Sequence, residues 1–318
     1  MTNERGFALL AVMLVLALLG VVVGELSVSM RLEASMVRSY KESVLATHLA
    51  EAAIQQAIRE ILGPGNIQAL EEGGTLVFLR GAAGASLPVK LPKLPRQRVA
   101  FGAGEFSYRI TDEEARINLN TAPPDRVDRL LTAAGVDKQA RDIINDSLQD
   151  WKDADDLHRI NGAESEDFYL KLPVPYRARN GPLQDAAELL QIRGVTRAIY
   201  AGAQGSGLAD LVTVTGSGTV NMNTAPEAVL RGLGFLDAEV SDITGGRASN
   251  PNTAVPARYA GRGLAVGSTT FRIEAEGLMG GEPRARIVAI VQRRAGQPLG
   301  NAPPGVRATM LSWRPAER

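Results

Sequence analysis

The chain has no cysteine, only two histidines, and no excess of charge: 35 Lys plus Arg face 35 Asp plus Glu in 318 residues. The missing cysteine excludes thiolate metal sites, cysteine nucleophiles and disulfides, although it leaves an oxidising compartment open. His48 lies in a helical pattern and His158 in an acidic loop. They complete no Ser-His-Asp set and no HExxH zinc site, and the sequence has no phosphate loop. Balanced charge provides no global field to draw in a nucleic acid or an anionic membrane. Paired carboxylates could in principle hydrolyse a glycosidic bond, but no aromatic cleft frames the acidic residues here.

Charge is also absent from Phe7 to Gly24, where the run FALLAVMLVLALLGVVVG is dominated by Leu and Val. On a membrane-insertion scale these side chains favour the bilayer by about 4 to 7 kcal/mol. A secretory signal peptide also combines a charged start with an apolar run. This run is long for a signal, however, no A-x-A site follows it, and the chain continues without a breaker. Val37, Tyr40, Val44, Ala53, Ala57 and Ile61 recur at helical steps, with Arg38, Lys41, Glu42, Arg59 and Glu60 between them. One continuous helix over 7–62 is expected, its first third in lipid and the rest amphipathic, stopped by Gly63-Pro64-Gly65.

A short polar leader ending in Gly6, followed by Phe7 and an apolar half-helix that becomes amphipathic, resembles a type IV pilin-like signal. The resemblance implies cleavage after Gly6 by a prepilin peptidase and methylation of the new N-terminal Phe7. Pilins and most pseudopilins carry a Glu four residues after that Phe; here the position is Ala11. A carboxylate at the bilayer centre costs about 2.5 to 3.5 kcal/mol, so it is tolerable only when paired, and a subunit with nothing above it needs none. Within pseudopilins, that departure resembles the K-type minor pseudopilin, the tip subunit of type II secretion systems. The leader offers only Arg5 against Glu4, with Arg31, Arg38 and Lys41 beyond the span. This is a weak or contrary positive-inside signal, and an orientation with the bulk in the periplasm rests on the resemblance.

Residues 63–98 read as a Gly/Pro-rich connector with one apolar piece, TLVFLR, that suits a strand or a helical turn. Phe106, Tyr108 and Ile110 alternate with polar neighbours, as do Ile117 and Leu119, predicting two antiparallel strands joined by an acidic turn at Asp112–Glu114. Then comes an internal repeat: Ile117-Asn118-Leu119-Asn120-Thr121-Ala122-Pro123 returns as Val220-Asn221-Met222-Asn223-Thr224-Ala225-Pro226. In each copy the spacing predicts a strand ending in Asn120-Thr121 or Asn223-Thr224. Thr is the expected N-cap, Pro123 or Pro226 the first-turn residue, and Glu227 completes a capping box with Thr224. Such segments resemble helix-hairpin-helix modules, whose hairpins bind phosphates. The hairpins here, Gly135-Val136-Asp137, Gly194-Val195-Thr196 and Gly234-Phe235-Leu236, each lack the second glycine and carry no Lys/Arg cluster. A sterile-alpha-motif-like packing fold without nucleic acid is the expectation.

Between the repeats, Asp150, Asp153, Asp155, Asp156, Glu164, Glu166 and Asp167 crowd one segment. The spacing is not that of an EF-hand. Two readings stay open on the residues alone: a solvated turn, or a set of hard oxygen ligands for Ca²⁺ around Gly162. Trp151 and Tyr169 read as core anchors. The order of the DW-D-DD, GAE, NGPL and ELLxxRG segments, together with the two NxNTAP segments, resembles the K-type pseudopilin family over most of the chain from Phe7 to about Arg293. That resemblance implies Ca²⁺ in the helical insert, with Asp153, Asp155, Asp156 and Glu164 as candidate ligands. It implies I- and J-type minor pseudopilins as partners, with the H-type and the major G-type subunits, the prepilin peptidase and the inner-membrane assembly platform. Residues 201–207 read as a connector, 244–267 as loop, and 271–291 as a hairpin turning at Gly280-Gly281, with RATMLSW as an edge strand.

The expected fold is α+β: a pilin fold, with a long N-terminal helix packed on an antiparallel sheet, and a large helical SAM-like or helix-hairpin-helix-like insertion. The expected divisions are a leader (1–6), the helix (7–62, with 7–24 transmembrane), and the first part of the α/β domain (63–120). The helical insertion (121–215), a second repeat with its loop (216–265) and the C-terminal hairpin and tail (266–318) follow. The implied function is a non-catalytic subunit that starts and caps a secretion pseudopilus from the inner membrane. A minor pilin of a related type IV filament and a membrane-anchored DNA receptor of the ComEA kind are the alternatives.

Overall fold

The computed structural model describes residues 4–63, 67–72, 75–80, 89–202, 207–249, 251–295 and 306–316. Residues 1–3 of the expected leader, Pro64-Gly65 of the expected helix stop and 203–206 of the expected connector lie outside these. Helix α1 (Glu4–Ile61) is 58 residues rich in Leu, Val, Ala, Met, Glu and Arg and without a proline, about 87 Å long at 1.5 Å per residue. It is exposed through Tyr40, and its next turns bury Ala46, Leu49, Ala50, Ala53, Ile54, Ala57 and Ile61 along one face. The end of α1 is anchored by Glu60, which accepts from Tyr108 Oη at 2.6 Å, Arg96 Nε at 3.1 Å and Leu94 N at 3.2 Å.

After α1, strands β1 (Ile67–Glu72), β2 (Thr75–Arg80) and β3 (Val89–Lys90) form a small antiparallel sheet, so TLVFLR is a strand. Strands β4 (Val99–Phe101) and β5 (Gly104–Asp112) begin the main sheet. The chain then departs into the helical part. This runs through β6 (Ile117–Asn118), α2 (Pro124–Ala133), α3 (Lys138–Lys152), α4 (Arg197–Ala201), α5 (Leu208–Leu211), β7 (Val212–Thr213), β8 (Val220–Asn221), α6 (Glu227–Gly232), α7 (Asp237–Ser249) and β9 (Leu264–Ala265). Strands β10 (Thr270–Met279), β11 (Glu282–Ala295) and β12 (Val306–Pro315) complete a five-stranded antiparallel sheet in the order β12-β11-β10-β5-β4. The architecture is thus mixed α+β, a long N-terminal helix with antiparallel sheets, and RATMLSW is an edge strand as expected.

Phe106, Tyr108, Ile110, Phe271, Ile273, Ala275, Ile287, Ala289 and Val291 pack with the buried face of α1 in one core. Gly277 is required there: a Cβ on it would lie 1.8 Å from the carbonyl oxygen of Ala46, so strand and helix backbones touch. Gly277 meets the early part of the packed segment, whereas Arg293 Nε reaches the Ile61 carbonyl at 3.0 Å. The helical part leaves β5 at Asp112 and rejoins beside it at Phe271, its register partner. It therefore sits at the end of the sheet remote from the apolar half of α1.

Three expectations are corrected. Strand β6 does not fold back along β5; it pairs in parallel with β7, as β8 does with β9. The Thr side chains are not the helix caps. The N-caps of α2 and α6 are Pro123 and Pro226, with no capping side chain. Asn118 Oδ1 and Asn221 Oδ1 instead accept from the amides of Asn120 and Asn223, each at 3.0 Å, which places Thr121 and Thr224 in the turn before the helix. Thr224 donates to Asp112 at 2.6 Å, and Glu227 pairs with Arg231 at 3.1 Å rather than closing a box. Finally, residues 244–249 are the last turns of α7 rather than loop, held by Arg247 Nη1 donating to the carbonyls of Met222 (3.0 Å) and Ala225 (2.7 Å).

Candidate functional site

The two NxNTAP copies build the same device. Asn120 donates to the carbonyls of Leu183 and Val214, both at 2.9 Å, and accepts from Leu183 N at 2.8 Å. Asn223 donates to Asn252 and Val266, both at 3.0 Å, and accepts from Asn252 N at 2.8 Å. Each Asn thus clips a loop to the residue after its parallel return strand, and Pro123 and Pro226 then start α2 and α6, which pack together. The copies differ in what precedes the clipped loop. In the second copy α7 ends at Ser249, close before Asn252. In the first, α3 ends at Lys152, and residues 153–182 intervene before Leu183. The acidic insert is therefore an addition that one copy has and the other lacks.

That insert closes over α3. Trp151 and Tyr169, both buried, meet edge to face with centroids 5.2 Å apart at 84°, confirming them as core anchors. Asp150 sits one residue earlier and is fully buried. It accepts from Arg159 Nη1 at 2.6 Å and from the Arg159 amide at 3.1 Å. Gly162 has no room for a side chain, since a Cβ would fall 1.8 Å from Asp150 Oδ2. Arg159 Nη1 also donates to Asp153 Oδ2 at 2.7 Å.

Glu164 is 2% exposed, and neither of its carboxylate oxygens has a hydrogen-bond partner among the described residues. Asp153 Oδ1 and Asn180 Oδ1 are buried and unpartnered in the same sense. Burial, followed by the negative charges of Asp150, Asp153 and Asp156, pushes the Glu164 carboxyl up to about 7. Burial also raises Asp150, against the Arg159 hydrogen bonds. Asp156 accepts from Asn180 Nδ2 at 3.2 Å, and Asp155 accepts from the Leu157 amide at 2.9 Å in a local turn.

Of the four sequence candidates, Asp153 and Glu164 thus share the electrostatic neighbourhood of Asp150, Asp156 contributes at longer range, and Asp155 is occupied locally. No group of three such side chains among the described residues is already converged for metal binding. Asp153, Glu164 and Asn180 nevertheless each keep a buried oxygen without a partner among the described residues, the hard donor type that Ca²⁺ takes. Asp150 and Gly162 were noted in the acidic segment without a role as ligands, and Asn180 and Arg159 were missed as site residues. Asp150 could have been found from its place on the buried face of α3, one position before Trp151.

The second candidate feature is the stem. From Phe7 through Val37 its apolar side chains are exposed, Phe7 at 77%. Among the described residues α1 is the one helix long and apolar enough to cross a membrane, by length and composition. Gly6 and Phe7 lie within it, and Ala11 stands on its surface with no carboxylate.

The family model described as type II secretion system (T2SS), protein K, matches residues 110–205, the end of β5 and the first repeat with its insert. Type II secretion system protein K of Pectobacterium carotovorum subsp. carotovorum is 29% identical over 63% of this chain. The corresponding protein of Pseudomonas aeruginosa is 25% identical over 92% of this chain and 89% of its own length. The chain is thus similar to type II secretion system protein K. The aligned part spans 61% of the Pectobacterium family member's length. In fold, the chain also resembles a chain in the crystal structure of the GspK-GspI-GspJ complex from the enterotoxigenic Escherichia coli type 2 secretion system. The TM-score is 0.61 over 90% of this chain and all of that one, at 17% identity.

Proposed function

We propose that this chain is a minor pseudopilin that initiates and caps the tip of a type II secretion pseudopilus. It is held in the bacterial inner membrane by the apolar half of α1, with its bulk in the periplasm. Cleavage after Gly6 and methylation of Phe7 would free it to join I- and J-type minor pseudopilins, with H-type and major G-type subunits below. The observation that carries this reading is α1: one half is apolar and wholly exposed, the other is buried in its own sheet, and Ala11 replaces the membrane carboxylate. A subunit stacked above would need that carboxylate to receive its terminal amine, and the helical part at the far end of the sheet would obstruct such a subunit.

We read the role as structural rather than catalytic. The helical part is read as a SAM-like packing module that binds no nucleic acid. In support, Asp137 and Thr196, where phosphate-binding hairpins would carry glycine, cap α3 and α4 through their own side chains. Co-expression of the full-length chain with I- and J-type minor pseudopilins, followed by detergent extraction and affinity purification, tests the assembly. A ternary complex that persists at micromolar concentration is expected; purification of this chain without either partner would refute it.

The acidic insert is proposed to hold Ca²⁺, with oxygens of Asp153 and Glu164 as principal donors, Asp150 and Asn180 beside them, and Asp155 and Asp156 at the rim. A bound cation would supply the positive charge that buried Glu164 lacks and so fasten the insert to α3. A melting temperature that is the same in chelator and in millimolar Ca²⁺ would refute this part.

A further inference from the structure

We propose that the edge of β12 over Val306–Met310 receives an extended acidic segment of another polypeptide as a sixth strand of the main sheet. The two edges of that sheet are unlike. At one side β4 is three residues long, too short to template a neighbour, whereas at the other β12 is ten residues long and pairs only with β11 among the described residues. The later half of β12 is blunted. Its register slips between Ile290 and Val291, leaving Leu311 with no opposite residue, and Pro315 has no N–H to offer. From Val306 to Met310 the ladder against Ala295–Val291 is regular, so every second residue there turns its N–H and C=O away from β11.

The side chains of this stretch specify what the added strand must carry. Arg307 stands directly opposite Arg294, both are exposed, and like charges so placed repel. Arg294 Nε donates to the neutral Gln292 at 2.6 Å, and Arg307 makes no ion pair or side-chain hydrogen bond among the described residues. Together β11 and β12 hold six arginines and one acid, Glu282. The other four arginines are committed: Arg284 to Glu42, Arg286 to Glu276, Arg314 to Asp185 and Arg293 to the Ile61 carbonyl. The uncompensated pair therefore lies on the regular part of the edge. On the opposite face Ala308 packs against the core beneath α1, and Met310, the register partner of buried Val291, is still 43% exposed. A strand with carboxylates on one face and aliphatic side chains on the other would neutralise the arginines and extend that core. A second copy of β12 would instead bring its own Arg294 and Arg307 to the same face, so charge selects a different polypeptide.

Fluorescence anisotropy of a labelled short peptide of alternating valine and glutamate, titrated with the full chain in detergent, tests the pairing. The wild type is expected to bind it, and to bind the valine–lysine counterpart roughly 10-fold or more weakly. Arg307→Glu, which gains an ion pair across to Arg294, should melt at or above the wild-type temperature yet lose the acidic peptide by a similar factor. Reversing both arginines, Arg294→Glu with Arg307→Glu, should transfer the preference to the lysine peptide. The glutamate peptide N-methylated throughout, which has no N–H to donate, should not bind. Equal affinity for the two peptides, no binding of either at millimolar concentration, or an N-methylated peptide that binds as well as its parent overturns the proposal. Self-association of the chain in sedimentation that the acidic peptide fails to displace would put a second copy on the edge and overturn the choice of partner. Should the double reversal fail to fold, Arg307→Glu alone decides, and wild-type affinity for the acidic peptide refutes the proposal.

Discussion

Glu164 allows the sharpest test of the acidic insert. Its carboxyl is raised from an ordinary 4.5 to about 7 by burial and by the charges of Asp150, Asp153 and Asp156. A carboxyl whose folded pKa exceeds its unfolded value stabilises the fold fully below the unfolded pKa and loses that contribution as pH rises through the folded pKa. In chelator, stability should therefore fall between about pH 4.5 and pH 8. The shift converts to an upper bound of about 3 kcal/mol at roughly 1.4 kcal/mol per pKa unit, and relaxation of the site reduces the expectation to about 1 to 2 kcal/mol. Glu164→Gln removes the titrating group, so in chelator at pH 8 it should be more stable than the wild type by that amount, and near pH 5 the two should agree. Millimolar Ca²⁺ should reverse the order at pH 8, because only the wild type offers a carboxylate. Urea unfolding followed by Trp151 fluorescence in a Trp313→Phe background reads this out. A wild-type profile in chelator that is flat from pH 5 to 8, or a variant that tracks it, would refute the account of Glu164 as an uncompensated buried acid.

Three further outcomes follow from the packing. Asp112→Ala should cost on the order of 3 kcal/mol in chemical denaturation, since Asn221, Thr224 and Ser268 all donate to its Oδ2, at 2.8, 2.6 and 2.6 Å, and would be left unpaired. Gly277→Val, whose Cβ must clear the Ala46 carbonyl, should lower the melting temperature through a loss of about 3 kcal/mol or more and expose α1 to proteolysis near Ala46. Asn120→Ala deletes three side-chain hydrogen bonds, and Asn223→Ala deletes the matching three and a further one from Asn252 Nδ2 at 3.2 Å. Each should destabilise by about 2 to 3 kcal/mol, and costs differing by more than about 1.5 kcal/mol would argue against equivalent roles.

What could be read without coordinates was what depends on near neighbours. The stem is legible because its apolar stripe and its lack of a breaker are local properties, and the 270–295 hairpin because Gly280-Gly281 separates two alternating runs. Both NxNTAP copies were visible, yet their chemistry was misassigned. Asn118 and Asn221 hold the amides of Asn120 and Asn223 in a turn ahead of each helix, the N-cap position falls to Pro123 and Pro226, and Thr224 turns instead to Asp112, a partner far away in sequence. Strands β6 and β8 are too short for an alternation pattern to name their partners, which lie well downstream. Gly245 and Gly246 signal a loop, whereas Arg247, within α7, ties that end to the Met222 and Ala225 carbonyls outside the helix. In the acidic insert the crowding of carboxylates was plain. Which one is buried without a partner depends on how residues 153–182 close over α3, and neither Asp150 nor Asn180 advertises itself by spacing.

The pairing of Asp112 with Phe271 has a consequence for how the two parts of the molecule depend on each other. Strands β5 and β10 are hydrogen-bonded neighbours whose connection happens to be residues 113–269. For a flexible connection, closing entropy grows only logarithmically, by about 0.6 kcal/mol for each doubling of length, so replacing a tight turn by this segment costs the sheet about 3 kcal/mol. The helical part has its own hydrophobic core to offset that. A chain with a short turn spliced between Asp112 and Phe271 should therefore retain the sheet, the stem and their mutual register.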